Sequence, residues 1–219
     1  MPARDTQETP PRFTEPFRDE LTQLLRWRRD VRRFKPDPVP AEVIGELLDL
    51  ACLAPSVGNS QPWRFVAVES AEARTAIREN FEAANAEALE GYQGEQAERY
   101  AGLKLSGLDM APVQLAVFCD EQTLQGHGLG SRTMPETLRY SAILAVHTLW
   151  LTARTRGIGV GWVSILDPEQ ATNDLGVPEN WSLVAYLCIG WPEEEHEDPE
   201  LVRHGWQDRT ADCRKLERR

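Results

Sequence analysis

The stretch PETLRYSAILAVHTLWLTARTRG, residues 135–157, is apolar on nearly every side once wound at helical spacing. Such a helix has to be enclosed by other elements, so it is expected to be the central core helix, with His147 packed inside. Gly157 supplies the stop, and Arg154 and Arg156 in the last turn suit the negative end of the helix dipole. Around it, VQLAVFCD (113–120), IGVGWVSI (158–165) and SLVAYLCIGWP (182–192) read as strands, and WRFVAVES (63–70) alternates with β-branched residues.

Further helices are expected over PFRDELTQLLRWRRD, ending near Asp30, and over AEVIGELLDLACLA, opened by Pro40. Residues 71–109, rich in Ala and Glu, are also expected to be helical, with an interruption around Gly91 to Gly94. The strands are too scattered among these helices for βαβ repetition, which makes the class α+β. The 219 residues carry no linker-like run, repeat or composition break, so a single domain over 1–219 is expected.

The net charge of −11 argues against broad nucleic-acid or anionic-membrane binding. Residues 1–17 contain no apolar core, no segment is long enough to span a bilayer, and the chain is expected to be cytoplasmic. Cys52, Cys119, Cys188 and Cys213 show no metal spacing, and the first three are expected to be small buried hydrophobes. The four histidines show no metal spacing either. In GIGVGW the glycines follow a helix and precede a strand, the reverse of a dinucleotide loop, and signify a helix cap and tight packing. GHGLG (126–130) reads as a flexible loop or lid, and the acid run EEEHEDPE (193–200) as a solvated surface turn.

Two segments ask for more. RRDVRRF (28–34) crowds arginines around one carboxylate, Asp30. Were the helix to continue, Arg28/Arg32 and Arg29/Arg33 would be like-charged i,i+4 pairs costing roughly 0.2–0.5 kcal/mol each. Spacing alone leaves open an exposed arginine-rich helix end or a phosphate clamp, whose bidentate geometry suits Arg. APSVGNSQPW (54–63) follows a helix with Ser56, Asn59, Ser60 and Gln61 in quick succession around Gly58, more directional hydrogen-bonding groups than a plain turn needs.

The two segments resemble the nitroreductase/flavin-reductase family, which carries RRSxRxF and APSxxNxQPW patterns. With Asp30 at the usual Ser or Thr position, and with GHGLG…TMPE and the block through residue 168, the chain is similar to the BluB-type 5,6-dimethylbenzimidazole synthases. The resemblance implies a nitroreductase-like fold, a mixed and mainly antiparallel sheet flanked by helices, in a homodimer with FMN at the subunit interface. It implies FMN contacts from Arg28, Arg29, Asp30, Val31 (through its backbone), Arg32, Ser56, Gln61, Leu105 and Ser164, with Asp30 and Ser164 catalytic and no metal. From the residues alone, a strand serine bonded to nearby backbone is the commoner fate of a residue like Ser164.

The implied reaction consumes the flavin: reduced FMN and O₂ yield 5,6-dimethylbenzimidazole and erythrose 4-phosphate. No stretch reads as an NAD(P)H site, so a separate NAD(P)H-dependent flavin reductase is expected to supply FMNH₂. The alternatives are an NAD(P)H-dependent flavin or nitro reductase of the same fold and a non-catalytic flavin-binding protein.

Overall fold

The computed structural model describes residues 10–103 and 107–219. Four strands, β1 (Trp63–Ala67), β2 (Val113–Asp120), β3 (Gly159–Val163) and β4 (Trp181–Gly190), form one sheet in the order β1-β2-β4-β3. Among the described residues all three strand pairings are antiparallel. The parallel contact found among the described residues is an isolated bridge from Asp30 to Val160 on the open edge of β3. The helices are α1 (Glu15–Trp27), α2 (Ala41–Ala51), α3 (Ala71–Glu90), α4 (Glu95–Gly102), α5 (Gly107–Met110), α6 (Thr137–Arg154), α7 (Pro168–Asp174) and α8 (Glu200–Arg203). The class is α+β, as expected.

Alternation along β2 and β4 divides the core. Leu115, Val117, Leu187 and Ile189 pack with Leu47 of α2 and with Val146 and Leu149 of α6. Ala116, Phe118, Tyr186 and Cys188 pack with Ile77 of α3 and Ala171 of α7. Each fully buried Leu, Ile or Phe contributes about 1.5–3 kcal/mol by leaving water. No helix among the described residues is long and apolar enough to cross a membrane.

Three sequence expectations give way. α6 buries one stripe, including Ala142, Val146, Leu149, Trp150 and Ala153, but leaves Tyr140, Ile143, Leu144 and His147 exposed along another. His147 is therefore not a core residue: the sheet can cover only one side of the helix. Cys52, at the end of α2, is likewise exposed, whereas Cys119 and Cys188 are buried. Finally, α1 ends at Trp27, and Arg28 already adopts extended geometry (φ −68°, ψ 123°). The arginines are thus not helical i,i+4 pairs. They lie on an extended segment docked on β3.

Candidate active site

That docking is built by backbone and by missing side chains. The Val31 N–H donates to the Val160 carbonyl (3.1 Å), and the Trp162 N–H donates to Asp30 Oδ1 (2.8 Å). Gly159 and Gly161 make the approach possible, since a Cβ on Gly161 would collide with the Val31 carbonyl oxygen. Gly159 and Gly161 thus serve tight packing, while Gly157, with φ +71° and open space at its Cβ, serves the turn after α6, the two roles their sequence context suggested. Farther along, Lys35 N–H donates to the Trp191 carbonyl (2.8 Å) and Glu193 N–H to the Arg33 carbonyl (3.2 Å). The segment is held at both ends.

A pocket opens where this segment meets the C-terminal part of α6, the start of β3 and the chain around 192–203. Arg28, Arg29, Asp30, Val31 and Arg32 all line it. Arg28 lays its guanidinium over the Trp150 ring, 4.9 Å from the centroid. Arg29 donates to backbone carbonyls, of Arg28 and of Glu197. Burial lowers the Arg29 pKa, and repulsion from Arg28 and Arg209 lowers it further, against the pull of Glu197 and Asp198. Cations pressed together in this way favour an incoming anion.

Asp30 sits among them, with Oδ2 3.5 Å from Arg32 Nε. Burial raises its pKa, opposed by the Trp162 N–H and by Arg32. The side chain nevertheless keeps 39% of its surface exposed, which leaves protons a route in and out. On its other side Asp30 borders a smaller hollow lined by Gly107, Gly161, Trp162, Val163 and Cys188. Burial pushes the Cys188 thiol up to about 12, with the Asp30 charge adding to the effect. It stays a thiol at neutral pH. Ser164 is exposed directly after the last residue of β3, two positions beyond the Trp162 N–H that grips Asp30. Val31 spends its N–H on Val160, so its backbone offers no free donor to a ligand. Leu105 lies outside the described residues.

Ser56 and Gln61 do not line the arginine pocket. They belong to a rigid turn: Gly58, Asn59 and Gln61 have left-handed φ, the Gln61 N–H donates to Ser56 Oγ (3.1 Å), and the Val57 N–H donates to Ser141 Oγ (3.0 Å). The GHGLG stretch, expected to be a flexible loop or lid, is the buttress of this turn. Gln125 Nε2 donates to the Asn59 carbonyl (2.9 Å), and a Cβ on Gly126 would sit 2.7 Å from the Gly58 oxygen. The two loops meet backbone to backbone.

The acid run 193–200 is also not a free turn. Glu194 and Glu200 pair with Arg33, Glu195 with Arg154, and Glu194 also meets Arg203 (3.5 Å) and His196 (3.0 Å). His196 and Arg33 hold the Glu194 carboxyl down to about 2. Sequence reasoning missed this strap, along with Trp150, Arg154 and Arg203. The available signal was charge complementarity between the densest acid run and the densest arginine run.

The nitroreductase family model matches residues 25–191. A protein of Rhodospirillum rubrum named 5,6-dimethylbenzimidazole synthase is 59% identical over 201 residues, covering 92% of this chain and 95% of that one. A protein of the same name from Rhodobacter capsulatus is 51% identical over 196 residues, covering 90% and 95%. Among solved structures, oxidised iodotyrosine deiodinase bound to FMN and 3-iodo-L-tyrosine aligns with a TM-score of 0.70 at 26% identity, covering 90% of this chain and 97% of that one. The docked arginine segment and the buttressed APSVGNSQPW turn both fall within the matched span, and this chain belongs to the nitroreductase family.

Proposed function

We propose that this protein is a flavin-consuming oxygenase that, with O₂ as oxidant, cuts reduced FMN into 5,6-dimethylbenzimidazole, erythrose 4-phosphate and a remainder that carries the pyrimidine half of the ring. The names of the Rhodospirillum and Rhodobacter relatives support the product. The observation that carries the reading is Asp30: a carboxylate whose pKa is raised by burial, fixed inside a cluster of arginines. Docking the segment through the Trp162 N–H needs only an acceptor at this position, so the titratable group is what supports a role in proton transfer.

Arg28, Arg29 and Arg32 hold the phosphate by charge-assisted hydrogen bonds, each worth about 1.5–3 kcal/mol. When bound, reduced FMN supplies both the electrons for O₂ and the ring atoms of the product. Asp30 takes up and returns protons as bonds to the ring are cut, and its raised pKa brings it nearer to neutral working conditions. The Ser164 hydroxyl, just beyond the strand that grips Asp30, hydrogen-bonds the ring or the bound oxygen. Ser56 and Gln61 come from a second copy of the chain, since within one copy they lie off the arginine pocket.

A homodimer is supported by two uncovered apolar stripes, Tyr140, Ile143 and Leu144 on α6 and Phe13, Phe17, Leu21 and Leu25 along α1 and the residues just before it. A separate NAD(P)H-dependent reductase delivers FMNH₂, and the setting is the cytoplasm. The deciding experiment adds chemically reduced FMN to the protein in air and seeks 5,6-dimethylbenzimidazole by mass spectrometry. Steady NAD(P)H oxidation with an electron acceptor, and no such product, would instead make this an ordinary reductase.

A further inference from the structure

Trp150 makes three contacts that converge on the clamp. Its ring lies beneath the Arg28 guanidinium at 4.9 Å, and its Nε1–H donates to the Arg29 carbonyl at 3.1 Å. Its ring also packs 6.2 Å from that of Trp162, whose N–H holds Asp30. Trp150 is 9% exposed, lines the pocket, and is anchored through α6 in the main core.

The arginines around the pocket are held in different ways: Arg29 donates to peptide carbonyls and Arg32 lies 3.5 Å from the Asp30 carboxylate. Arg33, Arg154 and Arg203 are tied to carboxylates of the 193–200 strap. Arg28 is aimed instead by an aromatic face, which orients a guanidinium without neutralising its charge. A carboxylate partner would have oriented it too, but would have competed with the ligand.

We infer that Trp150 is the positioning residue of the phosphate clamp, holding Arg28 and the Arg29 backbone in the geometry that receives the flavin phosphate. This rests on the reading of Arg28 as a phosphate ligand. The residue touches neither the flavin ring nor the reacting atoms and acts through the arginines. A guanidinium already aimed loses less freedom on binding, and that advantage applies only to ligands bearing the phosphate.

The test compares reduced FMN with reduced riboflavin, which lacks the phosphate, by anaerobic equilibrium dialysis. In Trp150→Leu the preference for FMN over riboflavin should fall roughly five- to tenfold, a loss between those of an exposed and a fully desolvated cation–π contact, with riboflavin affinity little changed. The same substitution in an Arg28→Ala background should cost far less, because the group being aimed is gone. Trp150→Phe keeps a ring and loses the N–H, so it should fall between the wild type and Trp150→Leu. That variant carries the test if the leucine variant does not fold. Equal losses for both flavins would assign Trp150 to packing alone and overturn the inference, as would a Trp150→Phe variant that matches the wild type for both. If the wild type itself shows no preference for FMN, the clamp reading fails and this inference fails with it.

Discussion

Asp30 Oδ1 accepts the backbone N–H of Trp162 at 2.8 Å, which fixes the one carboxylate of the arginine segment to the strand ending beside Ser164. Asn at position 30 could keep that bond through its own Oδ1 while losing the charge and the base. Asp30→Asn should therefore retain flavin binding and lose 5,6-dimethylbenzimidazole formation, measured on the same preparation. Product at near wild-type rate would remove Asp30 from the chemistry.

The same carboxyl predicts a pH dependence of stability. Burial raises its folded pKa above the unfolded value, so the native state holds the proton longer. Its contribution is most favourable below the unfolded value, near 4, and is lost as pH rises through the folded one. At neutral pH Asp30→Asn should be at least as stable as the wild type, with a flatter dependence of Tm on pH across that window. A lower Tm for the variant at pH 7 would show that the charge is a net stabiliser.

The acidic strap should behave in the opposite sense. With Glu194 held down to about 2, its pairing is present above the ordinary carboxylate range and is lost as pH falls through that range towards 2. Arg33→Met should loosen residues 193–200 at neutral pH, seen as faster amide hydrogen exchange there while the β2 amides stay protected. Unchanged exchange across the strap would mean that Arg33 does not anchor it.

Two glycine substitutions should diverge. Gly161→Ala places a methyl against the Val31 carbonyl and should cost about 1–3 kcal/mol, or displace the arginine segment and weaken FMN binding. Gly45→Ala, within α2 and with nothing within 4 Å of its Cβ, should gain about 0.5–1 kcal/mol. Denaturant unfolding of the pair decides, and equal stabilities would contradict the close approach.

On α6, Ile143→Glu puts a charge into the exposed Tyr140–Ile143–Leu144 stripe. Sedimentation should shift from dimer to monomer and product formation should fall, because Ser56 and Gln61 would no longer reach the site. An active monomer would place the whole site within one chain.

What the sequence disclosed follows from the range of the forces involved. The strand at 113–120 matched residue for residue, because a run of eight mostly apolar residues with a terminal Asp has few other stable forms. Pro40 and the break near Gly91 were legible for the same local reason. α7 is absent from the helices expected of the sequence, although Asp167 followed by Pro168 is a recognisable start: the Asp167 side chain accepts from the Glu169 and Gln170 N–H groups. The end of α1 was not legible, since Trp27 yields to extended backbone through pairing with β3, more than a hundred residues away. His147 was misplaced because apolar periodicity cannot say which of two stripes the sheet covers. The arginines and Asp30 stood out as a cluster, while their partners at 193–200 were hidden by distance along the chain.

The strap bears on what happens between turnovers. A resident cofactor can serve as a permanent counterion, so a fold built around one can leave its cations to that group. On the proposed reaction the flavin is destroyed in each cycle and gives no such service, so the vacated pocket has to hold its arginines against mutual repulsion until the next molecule arrives. Glu194, Glu195 and Glu200 meet that need by tying down Arg33, Arg154 and Arg203 at the rim. Among the described residues Arg28 packs on an aromatic face and Arg29 donates to peptide carbonyls, so neither spends a hydrogen bond on a carboxylate. The chain thereby carries its own salt at the edge of the site and keeps the centre ready for the next anion.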